Sequence, residues 1–197
     1  MSRRTFLIAC TLLATSQACL ARDDSEQLWR QLQTGNKVIL MRHAATVPGT
    51  GDPAGFRLGD CSTQRNLSSA GRSDAVRIGA AFRQNKIAVT AVLSSRWCRC
   101  LDTARLAFGK VQPAPMLDSM FLEDATEARP KLESLRAYLL AHRAGGTLVL
   151  VTHDVNIRGL IGRYLGQGEL AVTTVKTDGT LDVAGVLSVP DMLSSRP

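Results

Sequence analysis

The segment "VILMRHAAT", Val38 to Thr46, ends a run of apolar residues in an arginine and a histidine. An apolar run of this kind reads as a buried strand, and buried strands seldom close on two cationic side chains unless an anion meets them. Two later segments repeat the pattern. "AVTAVLSSRWCRC" carries a second apolar run into Ser94, Ser95, Arg96 and Arg99, and "GTLVLVTHD" carries a third into His153 and Asp154. Two histidines, two or three arginines and a carboxylate, gathered by three strand ends, suit a phosphoryl group. Guanidinium forks bind phosphate oxygens bidentately and stay charged. A neutral imidazole is a competent nucleophile near neutral pH. A second histidine can hydrogen-bond an equatorial oxygen, and a carboxylic acid beside the leaving group can protonate it. Arginine charge makes a metal or other cofactor unnecessary for this chemistry.

The elements that must hold these residues follow from periodicity. Asp24 to Leu32 reads as a short leading helix, Lys37 to Met41 as the first strand, and His43 to Asn66 as a long Gly/Pro-rich loop. Ser68 is placed to cap a helix through Asn85. "AVTAVLSS" is the second strand and "RCLDTARLAF" has helical spacing. "ARPKLESLRAYLLAHR" is an amphipathic helix with Leu132, Leu135, Leu139 and Leu140 on one face. "GTLVLVTH" is the third strand, "VNIRGLIGRYLG" a helix after it, and "GVLSVP" a late strand. Alternating strands and helices indicate an α/β sandwich whose largely parallel central sheet is flanked by helices on both faces. Sheets of this kind place their chemistry at the carboxyl ends of strands.

With 197 residues the chain is sized for one cored domain. Its formal charge of +7 suggests affinity for an anion. The basic residues are scattered, only 5% of residues are aromatic, and no basic-aromatic interleaving offers a stacking platform, so nucleic acid is not expected as a partner.

Residues 1–21 read as an export signal, leaving 22–197 as the domain. Arg3 and Arg4 precede an apolar run from Phe6 to Ala14, with small residues before a cut after Ala18 or Ala21. The run is too short to span a bilayer, and the mature chain is read as having no transmembrane segment. "SRRTFL" resembles the twin-arginine signal; the general secretory route is the alternative. Cys19 would suit a lipoprotein anchor, which Ser16 at the −3 position disfavours. The expected location is the periplasm. There a disulfide persists, and Cys61 is expected to pair with Cys98 or Cys100, whose own Cys-x-Cys spacing is too tight for a mutual bridge. A zinc site would need four ligands, and no second Cys/His pair has metal-like spacing.

The three motifs resemble those of the histidine phosphatase superfamily, the phosphoglycerate mutase-like proteins. "LMRHAAT" is similar to its Arg-His-Gly signature, "SSRWCRCLDTA" to its Ser-Ser-x-x-x-Arg-x-x-x-Thr-Ala segment, and "VTHDVNIRGLIG" to its second-histidine segment. The resemblance implies that His43 is a nucleophile forming a phosphohistidine, and that Arg42, Arg99 and His153 complete the phosphate pocket. Thr46 and Asn66 would line its mouth. "HDVN" resembles the acid-phosphatase branch, making Asp154 the proton donor; in the other branch that work falls to a glutamate, here Glu123 in "FLEDATE". Ala44 stands where the family has glycine, and Arg96 where it often has proline. The layout is similar to that of small periplasmic members, the lipopolysaccharide core heptose phosphatases among them.

The expected function is thus a metal-independent phosphomonoesterase of the cell envelope, acting on a small-molecule or glycolipid phosphate. A phosphomutase on the same scaffold is the first alternative, though it usually asks for a longer lid. A non-catalytic phosphate- or phosphoglycolipid-binding module is the second, and it would have no need of His43. The leaving group and the oligomeric state are not legible. His142, at the end of the amphipathic helix, is read as a helix-terminal cation rather than a site residue.

Overall fold

The computed structural model describes residues 24–143 and 145–194; the export-signal segment lies outside them. A first helix, α1, spans 24–33. It is followed by β1 (Val38–Arg42), α2 (Ser69–Gln84), β2 (Val89–Ser94), α3 (Cys98–Phe108) and the two-residue β3 (Gln112–Pro113). Then come α4 (Ala125–Ala141), β4 (Thr147–Thr152), α5 (Asp154–Ile161), β5 (Leu170–Val175), β6 (Leu181–Leu187) and α6 (Val189–Ser194). Among the described residues, no helix is long and apolar enough to cross a membrane.

The six strands form one sheet in the order β3-β2-β4-β1-β5-β6. The first four are parallel, while β5 and β6 run antiparallel on the far edge. β4 is buried along its whole length and sits between β2 and β1. Its uninterrupted apolar run is what a strand covered on both faces requires. Alternate residues of β1 and β4 supply opposite faces. Ile39, Met41, Val149 and Val151 pack with α1, α2, α3 and α6, and Val38, Leu40, Leu148 and Leu150 pack with α4 and α5. The chain is therefore a three-layer α/β sandwich with a mostly parallel sheet, as its periodicity predicts.

Local signals explain most boundaries. Ser68 accepts from the Gly71 amide and starts α2. A side chain at Gly71 would run into the Ala45 backbone, so this glycine lets α2 press against the turn that follows β1. α4 begins three residues earlier than the amphipathic stripe suggests, because Asp124 and Glu127 form a capping box. Leu135 and Leu139 of that helix are buried, but Leu140 is 39% exposed, a correction to the expected four-leucine face. Two of the differences are at the sheet's antiparallel edge. β5 was not distinguished in the sequence, and the late strand ends at Leu187, with Val189 and Pro190 opening α6 rather than continuing it.

Candidate active site

Parallel register brings the three motifs together. Arg42 pairs with Thr152, and Ser94 pairs with Val151. The residues one step beyond, His43, His153 and Ser95, therefore emerge side by side from three adjacent strands about 4.8 Å apart. The rings of His43 and His153 meet edge to face with centroids 5.6 Å apart. They are 3% and 4% exposed. Both line a cavity of about 1030 Å³ at the carboxyl edge of the sheet, together with Arg42, Arg65, Arg99 and Asp154.

His43 has a defined tautomer. Its Nδ1 lies 2.9 Å from the Ala44 carbonyl oxygen, which can only accept, so Nδ1 carries the hydrogen and Nε2 presents a lone pair. Burial outweighs that hydrogen bond and, with Arg99, Arg42 and Arg65 nearby, pushes its pKa down to about 3. The ring is therefore neutral across the physiological range. The Ala44 amide donates to Thr103 Oγ1, which in turn donates to the Arg99 carbonyl. Thr103 of the "DTA" segment thereby locks the turn after His43 onto the helix that carries Arg99, with Ala44 fully buried.

His153 is the N-cap residue of α5, and Asp154 is its first helical residue rather than the cap. His153 Nε2 lies 2.8 Å from Ser95 Oγ. Burial, then His43, Arg99 and Arg42, hold its pKa well below the usual histidine range. Asn156, in the same "HDVN" segment, donates to the carbonyls of Leu117 and Asp118 and accepts from the Met120 amide. It secures the connection that leads to Glu123.

Three guanidinium groups face the cavity with unfinished hydrogen bonding. Arg42 donates from Nη1 to Tyr164 Oη and the Leu165 carbonyl. Arg65 donates to Thr46 Oγ1 and the Gly49 carbonyl. Arg99 donates to Asp52 Oδ1 at 2.8 Å. Yet the buried Nε of all three lacks a partner among the described residues. All three residues also line the cavity, so three cations around one neutral imidazole can hold a multiply charged oxyanion. The amino termini of α3 and α5 lie at the same edge and add to the positive field.

Arg65, Asp52 and Trp97 were not picked out from the sequence. Asp52 accepts from Arg99, from the Arg65 amide and from Trp97 Nε1. Burial raises its pKa, but these donors outweigh that and hold the carboxyl below its usual range. Arg65 sits in the loop just before Asn66, where an arginine looks like any solvated one. Burial and the neighbouring Arg99 lower its pKa too.

Of the softer candidates, Thr46 is buried behind Arg65, accepting its Nη1 and a donor from Gln167. Asn66 Nδ2 donates to the Cys61 carbonyl, and neither Thr46 nor Asn66 is among the cavity-lining residues. Asp154 and Glu123 both line the cavity. Asp154 Oδ1 is 3.4 Å from the Leu165 amide. Glu123 Oε1 pairs with Lys131, and its Oε2 is buried with no partner among the described residues. The disulfide joins Cys61 to Cys98, resolving the choice left open by spacing. The free thiol of Cys100 is buried, and its pKa is pushed up to about 12 by burial. His142 caps the end of α4 and stacks on Tyr138, away from the cavity.

No protein-family model matches the sequence, and no curated protein sequence matches it. Solved structures do. A mutant of phosphoserine phosphatase from Entamoeba histolytica, in complex with phosphoserine, superposes with a TM-score of 0.57 at 16% identity, over 79% of this chain and 98% of that one. The protein histidine phosphatase SixA complexed with tungstate gives 0.56 at 16%, over 79% and 99%. The alpha-ribazole phosphatase from Shigella flexneri gives 0.53 at 18%, over 75% and 95%. This chain shares the α/β fold of these three phosphatase structures.

Proposed function

We propose that the protein is a phosphomonoesterase that works through a phosphohistidine at His43. The observation that carries this reading is a buried His43, its Nε2 lone pair fixed by the Ala44 carbonyl, sharing one cavity with Arg42, Arg65, Arg99 and His153. Nε2 attacks the phosphorus, the bond to the ester oxygen breaks, and a carboxylic acid at the cavity wall gives that oxygen its proton. Water then gives a proton to that carboxylate as it attacks the phosphorus of phosphohistidine; the phosphorus–Nε2 bond breaks, inorganic phosphate leaves and the lone pair returns to Nε2. Arg42, Arg65 and Arg99 hold the equatorial oxygens with His153, and their charge serves in place of a metal. Asp154 is the proposed proton donor, adjacent to His153 and on the cavity wall, with Glu123 the alternative. The neighbours' phosphatase activities and their complexes with phosphoserine and tungstate are consistent with an oxyanion pocket of this kind.

The cavity is much larger than phosphate, and Phe56, Trp97, Phe121 and Leu122 give it apolar walls. That suits an ester whose organic part is sugar-sized or larger, including a glycolipid headgroup. The basic, apolar and small-residue pattern of residues 1–21 and the Cys61–Cys98 disulfide support an envelope location.

The deciding experiment is hydrolysis of an aryl phosphate by the mature protein in excess chelator, beside His43→Asn. Chelator-resistant activity that vanishes in the variant, with phosphate binding retained, is the expected result. Hydrolysis surviving in His43→Asn would remove the nucleophile. Binding without turnover in the parent protein would favour a binding module.

A further inference from the structure

Ser95, Arg96 and Asp118 have no part in the chemistry above, yet they form a continuous chain behind His153. Asp118 lies on the connection between β3 and α4 and is 2% exposed. Its Oδ1 is 3.4 Å from Ser95 Oγ and accepts the Arg96 amide at 2.8 Å. Its Oδ2 accepts Arg96 Nε at 2.7 Å, and Arg96 Nη2 lies 2.5 Å from the same oxygen. Ser95 Oγ in turn is 2.8 Å from His153 Nε2 and accepts the Trp97 amide at 3.3 Å. The Arg96 guanidinium and amide offset the burial of this carboxylate, which stands one hydroxyl away from a pocket histidine.

Resting on the phosphatase reading, we propose that Asp118 is a positioning residue for His153, acting through the Ser95 hydroxyl, and that Arg96 sets how strongly it acts. With the pocket empty, the Ser95 hydroxyl donates to Nε2, and the neutral ring carries its hydrogen on Nδ1. When a doubly charged phosphoryl group enters, the ring takes up one proton from solvent at Nε2. Ser95 keeps its own hydrogen, turns it toward Asp118 Oδ1, and accepts from Nε2–H. One proton is gained, no other bond changes, and His153 meets the phosphoryl oxygens as a cation.

The charged groups facing the ring oppose that proton: Arg42 at the end of β1, Arg99 on α3 and Lys131 on α4, with the neutral His43 ring beside them. The Cys100 thiol, 3.5 Å from Nε2, stays protonated, and Asp154 follows at the start of α5. Asp118 is the carboxylate hydrogen-bonded to the ring's partner, and Arg96, with its side chain 48% exposed, partly neutralises it from the solvent side.

The chain contains three histidines, so long-range proton–nitrogen NMR of histidine-labelled protein can follow each ring. His43→Asn assigns one, and His142 serves as the internal control. Inorganic phosphate is titrated in across a pH series. Bound phosphate is expected to make the His153 ring doubly protonated up to a midpoint pH. Asp118→Asn should lower that midpoint by about one unit and weaken phosphate about tenfold at pH values below it, with no difference from the parent well above it. Ser95→Ala should abolish the coupling. Arg96→Gln leaves Asp118 uncompensated and should move the midpoint the opposite way, upward. Loosened structure alone would shift both variants in one direction, and that result, or an Asp118→Asn protein indistinguishable from its parent, overturns the proposal. If Asp118→Asn does not fold, the sign of the Arg96→Gln shift decides. Aryl phosphate hydrolysis by the parent protein is read separately. Absent hydrolysis with an intact ring response strikes the phosphatase reading alone, and hydrolysis with an indifferent ring strikes the relay alone.

Discussion

The pocket has two halves held by different physics. One half is the sheet edge, where Arg42, His43 and His153 leave adjacent parallel strands whose registers fix their spacing. The other half is the loop between β1 and α2, which brings Asp52, Phe56 and Arg65 over the same cavity. No strand or helix longer than the 3-10 turn Cys61–Thr63 supports that loop. It is held instead by the Cys61–Cys98 bridge, by Gln64 Oε1 accepting the Cys98 amide at 3.0 Å, and by Asp52 on Trp97 and Arg99. The backbone ladder fixes the positions of Arg42, His43 and His153, while side-chain ties close the remainder of the cavity.

The comparison breaks most visibly at its centre. On the proposed mechanism, His43→Asn should lower aryl phosphate turnover by at least about 10⁴-fold, since loss of the nucleophile would leave only positioning and charge. Arg65→Ala, a loop residue, should cost about 10²- to 10³-fold, comparable to losing one transition-state donor, with Arg99→Ala a matching measurement from the helix side. If Arg65→Ala left turnover within a few-fold of the parent, the loop would be a cover and not half of the site.

Stability separates the halves next. Replacing both Cys61 and Cys98 by serine opens a tie across a sequence separation of 37 residues, and should cost about 2–4 kcal/mol in denaturant unfolding. Because the bridge holds Arg65 rather than His43, KM should rise more than kcat falls. An equal fall in kcat would mean that the bridge also sets the sheet-edge geometry.

Acid should act on the other half. His43 is held at about 3 by burial and by Arg99, Arg42 and Arg65, and His153 is also held well below its usual range. An unfolded histidine titrates near 6.5, so the unfolded chain binds protons that the folded one refuses. The stability tied to these two neutral rings is therefore complete above about pH 6.5 and falls as pH drops toward 3, by up to about 1.4 kcal/mol per pH unit for each ring. Thermal unfolding without phosphate at pH 7 and pH 5 measures this, and His43→Asn should flatten part of the slope. Equal melting temperatures at the two pH values would contradict the burial of these rings.

The same division decides what was legible in sequence. Val38 to His43 and Leu148 to His153 announce themselves, because strands covered on both faces read as apolar runs and their polar ends then stand out. Ser68 as a helix cap was equally plain. Arg65 and Asp52 carry no such signal: their roles come from a loop path fixed by a disulfide and by Arg99, contacts remote in sequence. β5 is not distinguished because two consecutive threonines, Thr173 and Thr174, blur the apolar run of its Leu170–Val175 segment. One of these, Thr173, is fully buried and donates to the Val38 carbonyl. The Asp118 chain behind His153 was invisible for the same reason as Arg65, since Ser95 and Asp118 are 23 residues apart.

The smallest expected effect lies where the two halves touch. Thr46 Oγ1 accepts Arg65 Nη1 at 2.9 Å and Gln167 Nε2 at 3.2 Å, so it holds the loop arginine from behind without entering the cavity. Asn66 is tied to the Cys61 carbonyl instead. Thr46→Val keeps the shape and removes the acceptor, and it should cost about 1 kcal/mol, seen as a rise in KM of about fivefold with little change in kcat. Asn66→Ala should alter stability by a similar amount and KM hardly at all. Combined with Arg65→Ala, Thr46→Val should add nothing further, because its action on substrate passes through that one guanidinium. Additive losses in the double variant would place Thr46 in contact with the ligand and move the boundary between the two halves inward.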